Sequence, residues 1–380
     1  MGTTKTTKET PPTPAVRGYR MPAEWEPHSA TWLSWPRRDG ISFPGKGAYD
    51  KAVLTIAKMV HALADSEPVN INVCDEAHEA DVRRMLSKAG AKDSHVTFHH
   101  IETNEPWCRD HGPIFVTRSD APKLLVLDWG YNSWGFKYPP FDEDDYVPTA
   151  VAEKLSLPVE YPGMILEGGS IDVTGDGLLL TTRSCLLNPN RNPDLTQSQI
   201  EQRLRDNLGV REILWLGDGI EGDDTDGHVD DIARFVRADT IVCAWEEDED
   251  DANFAALKGN HDLLAGITCA PVADNEEDED GEAEHEATAD EGFPARFQVI
   301  KLPMPRKIAR DGQRLPASYA NFYIANKVIL LPVFADTNDR WARSILEKAF
   351  PDREVIGIDC RELIWGLGAF HCLTQQQPAV

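Results

Sequence analysis

Four short segments place unusual polar residues beside glycine, each just ahead of an apolar run. They are Trp107-Cys108-Arg109-Asp110-His111-Gly112-Pro113, Leu166-Glu167-Gly168-Gly169-Ser170, Asp226-Gly227-His228-Val229-Asp230 and Gly366-Leu367-Gly368-Ala369-Phe370-His371-Cys372. Asp110, Glu167 and His228 follow one another at intervals of 57 and 61 residues. A cysteine supplies a nucleophile once it is a thiolate, and a histidine can hand a proton to a leaving group near neutral pH. Carboxylates do not stabilise an oxyanion, so protease-like chemistry explains the acids poorly. A planar cation needs acceptor oxygens along its edges, and guanidinium–carboxylate pairing meets that need. The set points to nucleophilic attack on a guanidinium carbon. Taken singly, each residue also has a structural reading. Cys372 reads as a small buried hydrophobe, His228 as a turn cap, and Asp110 or Asp230 as an ion-pair partner of Arg109 or Arg234. Recurrence at equivalent places favours the chemical reading. Strand alternation turns His371 away from the face that Cys372 occupies.

The elements that position these segments repeat. From Ser170 the chain reads strand, TGDG turn, strand, an amphipathic helix over 197–208 ended by Gly209, and the strand REILWL. HVDDIARFV, TIVCAW, a weak helix near 253–265 and FQVIKL repeat the pattern. SYANFYI, VILLPVF, a helix over 339–349 and EVIGI repeat it again. GPIFVTR, KLLVLDW and a helix near 144–155 form an earlier unit. The N-terminal region offers SATWLSW, a helix over 48–64, PVNINVC, an extra helix over 77–89 and VTFHH. Five ββαβ-like units at this spacing predict an α/β propeller of five blades around a pseudo-five-fold axis, with Asp110, Glu167, His228 and Cys372 converging on one axial cavity.

The chain has 380 residues and a formal net charge of −26. Residues 246–251 carry six carboxylates and residues 274–291 eleven more, and without those seventeen the charge is −9. Residues 272–292 read as a solvated acidic insertion and residues 1–18 as a disordered tail, leaving one catalytic domain over 19–380. The acidity disfavours nucleic acid and suits a small cationic substrate. Seven cysteines without C-x-x-C spacing predict reduced thiols and no metal knuckle. The N-terminus lacks an apolar signal core and no apolar stretch is long enough to span a membrane, so the expected location is cytoplasmic.

MPAEWEPH, WCRDHGP, LEGGSIDV, CLLNPNRNP, GDDTDGHVDD, ASYANFYIAN and FHCLTQQQPA together resemble the agmatine deiminase / bacterial peptidylarginine deiminase-type proteins of the guanidino-group-modifying superfamily. The resemblance spans nearly everything except the tail and the acidic insert. It implies a five-bladed pentein propeller, hydrolysis without a cofactor, and the homo-oligomers such proteins often form. It implies Cys372 as nucleophile, His228 as general acid/base, Asp110 and Asp230 as the acids gripping the guanidinium, and Glu167 as support for that network. Trp107 falls in the substrate-lining W-x-R-D segment, and Glu105 or another carboxylate is expected to accept the second positive charge of agmatine. Two departures bear on the pocket beyond the guanidinium: G-L-G-A-F-H-C stands where the family's agmatine enzymes read G-G-G-N-I-H-C, and Glu105 stands where they carry Asp. The implied activity is agmatine deimination. Peptidylarginine deimination uses the same core residues, whereas amidine transfer or a non-catalytic binding module fits the complete set less well.

Overall fold

The structure, a computed structural model, describes residues 11–45, 47–91, 93–267 and 296–380. The acidic insertion expected at 272–292 and residues 1–10 of the expected tail lie outside the described residues. Residues 11–18, read from sequence as part of a disordered tail, instead form a turn. The Ala15 amide donates to Asp206 O at 2.9 Å and Arg17 pairs with Glu160 at 2.5 Å.

The chain is an α/β fold whose five principal sheets share one plan: an antiparallel hairpin, a helix, and a third strand parallel to the second. Ile114–Thr117, Leu124–Leu127 and Val159–Glu160 form one such sheet, and Asp172–Val173, Leu178–Thr182 and Glu212–Leu216 the next. Ala233–Arg237, Thr240–Trp245 and Gln298–Pro303 follow, then Tyr323–Ile324, Val328–Val333 and Glu354–Asp359. In the remaining sheet His28–Ser34 pairs parallel to Val69–Val73, which continues to Val96–His100. Its antiparallel partner is the C-terminal strand Gln375–Pro378. The two ends of the chain therefore close one sheet between them.

Five helices make the crossovers: Ala48–Ala64, Asp142–Leu155, Gln197–Leu208, Phe254–Gly266 and Asp339–Ala349. Gln197–Leu208 shows why the sequence marks them so clearly. Thr196 and Gln199 form a reciprocal capping box, Ile200, Leu204 and Leu208 recur on the buried face, and Gly209 ends the helix at φ 69°. The middle strands Leu124–Leu127, Leu178–Thr182 and Val328–Leu331 are buried throughout, as expected of strands covered on both faces.

A short turn enters each first strand. Cys108–His111 and Phe370–Leu373 are single α-turns, and Gly168–Ser170 and Val229–Asp231 are 3-10 turns. Phe370–Leu373 packs on Cys108–His111, which packs on Gly168–Ser170, which packs on Val229–Asp231. The polar motifs sit on these turns. In the fifth unit only Tyr323–Ile324 of SYANFYI pairs as a strand; Tyr319 and Ala320 form the corresponding turn.

Candidate active site

Cys372, Asp110, Trp107, Trp134 and Glu105 line a cavity of about 310 Å³, together with residues of the 310–315 segment and Trp365 to Gly368. Gly169 marks where the chemistry gathers. A Cβ there would lie 2.5 Å from His228 Nδ1, 2.7 Å from Asp110 Oδ1 and 3.1 Å from Asp230 Oδ2, so three groups from two other entrance turns surround one point on a third. Asp230 Oδ2 is 3.6 Å from Cys372 Sγ, and His228 Nδ1 is 3.5 Å from Asp110 Oδ1.

Hydrogen bonds hold these groups while leaving acceptors open. Asp110 accepts from Gly169 N at 3.1 Å and from Trp134 Nε1 at 3.0 Å. Asp230 Oδ1, Glu167 Oε2 and both ring nitrogens of His228 are buried without a hydrogen-bond partner. Buried polar atoms are rarely left unpaired; the open oxygens of Asp230 and Glu167 are acceptors, while the His228 ring supplies at least one N–H donor.

Burial pushes the Asp110 carboxyl up to about 7, with His228 pulling against it and Asp230 and Glu167 adding to the rise. Burial opposes a charged His228, but Asp110, Cys185 and Glu167 outweigh it and raise the imidazole well above its ordinary range. Near neutral pH the Asp110–His228 pair thus retains a proton that can be given to a departing nitrogen. Burial and the carboxylates of Asp230, Asp231 and Asp110 push the Cys372 thiol well above the usual range, and Asn321 pulls it back. The thiolate needs help.

Glu167 accepts from Arg191 Nε at 2.5 Å, and both side chains are fully buried. Arg191 also donates to Thr225 O at 2.8 Å and Asp226 Oδ2 at 2.7 Å, which ties Glu167 to the loop carrying His228. Glu167, Cys185 and His228 are the described residues whose donor atoms gather as a metal would require, within 4.8 Å of one another. The fixed Arg191 cation on one Glu167 oxygen weighs against a dication there.

Residues 20–378 match the Porphyromonas-type peptidyl-arginine deiminase family. The chain belongs to that family. It is 39% identical to the agmatine deiminase of Pseudomonas aeruginosa strain LESB58, covering 97% of both chains. Enterococcus faecalis agmatine deiminase superposes with a TM-score of 0.83 at 32% identity, over 97% of this chain and 98% of that one. A Cys-to-Ser variant of C. jejuni agmatine deiminase, solved with substrate bound, superposes with a TM-score of 0.80 at 28% identity, over 94% and 96%.

Within this Porphyromonas-type deiminase frame, Cys372, His228, Asp110, Asp230 and Glu167 all lie in one neighbourhood, and Trp107 lines the cavity. Glu105 borders the cavity, and its oxygens accept from Ile41 N at 2.7 Å, Ser42 N at 3.0 Å and the Ser42 hydroxyl, which holds the 41–42 loop. His371 corrects one expectation. Residues 370–373 are a helical turn, so strand alternation does not apply. His371 Nδ1 meets Asp230 Oδ2 at 2.6 Å and Nε2 meets Glu24 Oε2 at 2.7 Å, which orients Asp230 from behind. Arg109 and Arg234, weighed as structural partners of Asp110 and Asp230, both ion-pair with Glu24, and Arg234 also with Asp172.

Sequence reasoning missed Glu24, Trp134, Asn321 and Arg191. Trp134 sits in a run of left-handed backbone, with φ of 53° at Ser133, 54° at Trp134, 91° at Gly135 and 64° at Phe136. Such a run in non-glycine residues is costly and brings the indole onto Asp110. The family departure at Leu367 has a similar signature. Leu367 adopts φ 69°, which glycine would take without strain, and it lines the cavity where the family pattern has no side chain. The flanking Gly366 and Gly368 have no such freedom to change, since a Cβ at either would lie within 2.8 Å of the Trp107 ring or closer.

Proposed function

We propose that this chain is an agmatine deiminase, hydrolysing the guanidinium of agmatine to N-carbamoylputrescine and ammonia without a cofactor, on a closed ring of five ββαβ modules. The observation that carries the reading is the meeting of Asp110, Asp230 and His228 around Gly169, with Asp230 Oδ2 3.6 Å from the Cys372 sulfur. A guanidinium presents five N–H donors in one plane and a carbon open to attack from either face. The relatives named above support the substrate, and the repeated sheet plan supports the ring.

Asp110 and Asp230 hold the guanidinium edge while the Cys372 thiolate adds to its central carbon. The Asp110–His228 pair gives a proton to one nitrogen, the C–N bond breaks, and ammonia leaves. The remaining S-alkylthiouronium is attacked by water, whose proton passes to His228. Collapse of that adduct expels the thiolate and leaves the ureido product. Glu167, fixed by Arg191, keeps the His228 loop in place through these steps.

The far end of agmatine is an ammonium. Asp224 stands beside Glu105 as a second carboxylate for that charge. It lines the cavity, and its Oδ2 accepts from Tyr138 Oη at 2.5 Å, which fixes its orientation. Free arginine would bring an α-carboxylate toward Asp224, Glu105 and Asp311. A peptide arginine, the substrate class in the family's description, lacks that charge but must carry a main chain past the Ala309–Arg314 hairpin.

The test offers agmatine, free arginine and an internal-arginine peptide at equal concentration and follows ammonia and ureido product. Agmatine should be preferred over free arginine by about 100-fold or more in kcat/KM, the order expected when like charges are brought together in a desolvated site. Faster turnover of the peptide would make the protein a peptidylarginine deiminase. Ammonia from none of the three would end the agmatine reading.

A further inference from the structure

Asn321 stands at the entrance of the fifth unit, the place that delivers Asp110, Glu167, His228 and Cys372 in the others, and it is 1% exposed. Its Oδ1 accepts from the backbone N–H of His371 at 3.1 Å and of Cys372 at 3.3 Å. Its Nδ2 donates to Asp231 Oδ1 at 3.0 Å and to Cys372 Sγ at 3.0 Å. Those partners fix the amide's orientation. Turned over, the carboxamide oxygen would face a carboxylate and a sulfur while its NH2 faced two N–H donors, with every contact repulsive.

We propose that Asn321 is a catalytic residue of this reaction: its Nδ2–H donates to the Cys372 sulfur and favours the thiolate form, while its Oδ1 anchors the turn that aims the sulfur. The role rests on the proposed reading of Cys372 as nucleophile. The surroundings of the sulfur make it necessary. Asp230 lies 3.6 Å away, and burial together with Asp230, Asp231 and Asp110 opposes a negative sulfur. Among the described residues the side-chain N–H on that sulfur belongs to Asn321, and a hydrogen bond to an ion is about twice as strong as one between neutral groups. Because Nδ2 also bonds Asp231 Oδ1, the amide is held from two sides and cannot swing away from the sulfur without losing that second contact.

Asn321→Asp is the sharpest variant. It preserves shape and the oxygen that receives the two backbone amides, and it removes the donor on sulfur. The readout is alkylation of Cys372 by iodoacetamide in the ligand-free protein, followed against pH by mass of the Cys372 peptide so that half-buried Cys74 does not interfere. At pH 7.5 the alkylation rate should fall about ten-fold or more, and the pH of half-maximal rate should rise by about one unit or more, the size of one charge-assisted hydrogen bond. kcat/KM should fall with it. Should Asn321→Asp fail to fold, Asn321→Ser, which also withdraws Nδ2, carries the same expectation. A rate–pH profile that superposes on wild type would overturn the proposal, even if turnover fell, because a merely structural residue lowers activity without moving the ionisation of the thiol. The alkylation readout needs no substrate, so it stays informative if Cys372→Ser shows the nucleophile reading to be wrong.

Discussion

Cys372→Ser is expected to lose turnover of agmatine by about 1,000-fold or more while remaining folded and still binding the substrate. The two side chains differ by one atom at a position only 5% exposed, so packing is preserved. What changes is the nucleophile. A serine hydroxyl is far harder to ionise than a thiol, and here Asp230, Asp231 and Asp110 already oppose any negative charge at that point. The gripping carboxylates remain, so substrate should still raise the melting temperature of the variant as it does that of the wild type. Retention of more than a tenth of the wild-type rate would remove Cys372 from the mechanism.

The second large effect comes from a residue with no reactive atom. Gly169→Ala places a methyl carbon 2.5 Å from His228 Nδ1, 2.7 Å from Asp110 Oδ1 and 3.1 Å from Asp230 Oδ2, all well inside contact distance. Its backbone is not left-handed, so the damage arises from displaced neighbours and not from strain at φ. We expect kcat/KM to fall by about 100-fold, since misplacing catalytic groups by about 1 Å costs that order. Stability should drop by about 1–3 kcal/mol from overpacking. Gly259→Ala is the control. It lies within the Phe254–Gly266 helix with nothing inside 4 Å of the added Cβ, so activity should hold and stability should be unchanged or gain up to about 1 kcal/mol. Wild-type kinetics in Gly169→Ala would show that the three groups do not work at the point this glycine vacates.

The local signals read correctly from sequence were those carried by one short stretch. The Thr196 cap, the Ile200–Leu204–Leu208 spacing and Gly209 place the Gln197–Leu208 helix, because capping and burial both act within a few residues. The polar entrance motifs were equally visible, since glycine beside an acid or histidine is an unusual local pattern. Interactions between distant segments were not. Glu24 reaches His371 across 347 positions, and nothing near MPAEWEPH announces that its carboxylate is buried behind Asp230. Arg191 stands in CLLNPNRNP with no local sign of its role, which only its hold on Glu167 supplies. Trp134 depends on a left-handed run that Gly135 alone hardly signals. Asn321 had a usable signal in its place in the fifth unit, but its entrance lacks the glycines that made the other four stand out. A strand period misplaces His371 because residues 370–373 form a helical turn.

The mechanism turns on a covalent adduct on Cys372 formed from agmatine. Acid quench during steady-state turnover, followed by mass measurement of the Cys372 peptide, detects it. A species heavier by agmatine less ammonia should be present on that peptide alone and absent when agmatine is withheld. Ammonia release at the full rate with the Cys372 peptide unmodified at every quench time, including pre-steady-state points, would contradict it.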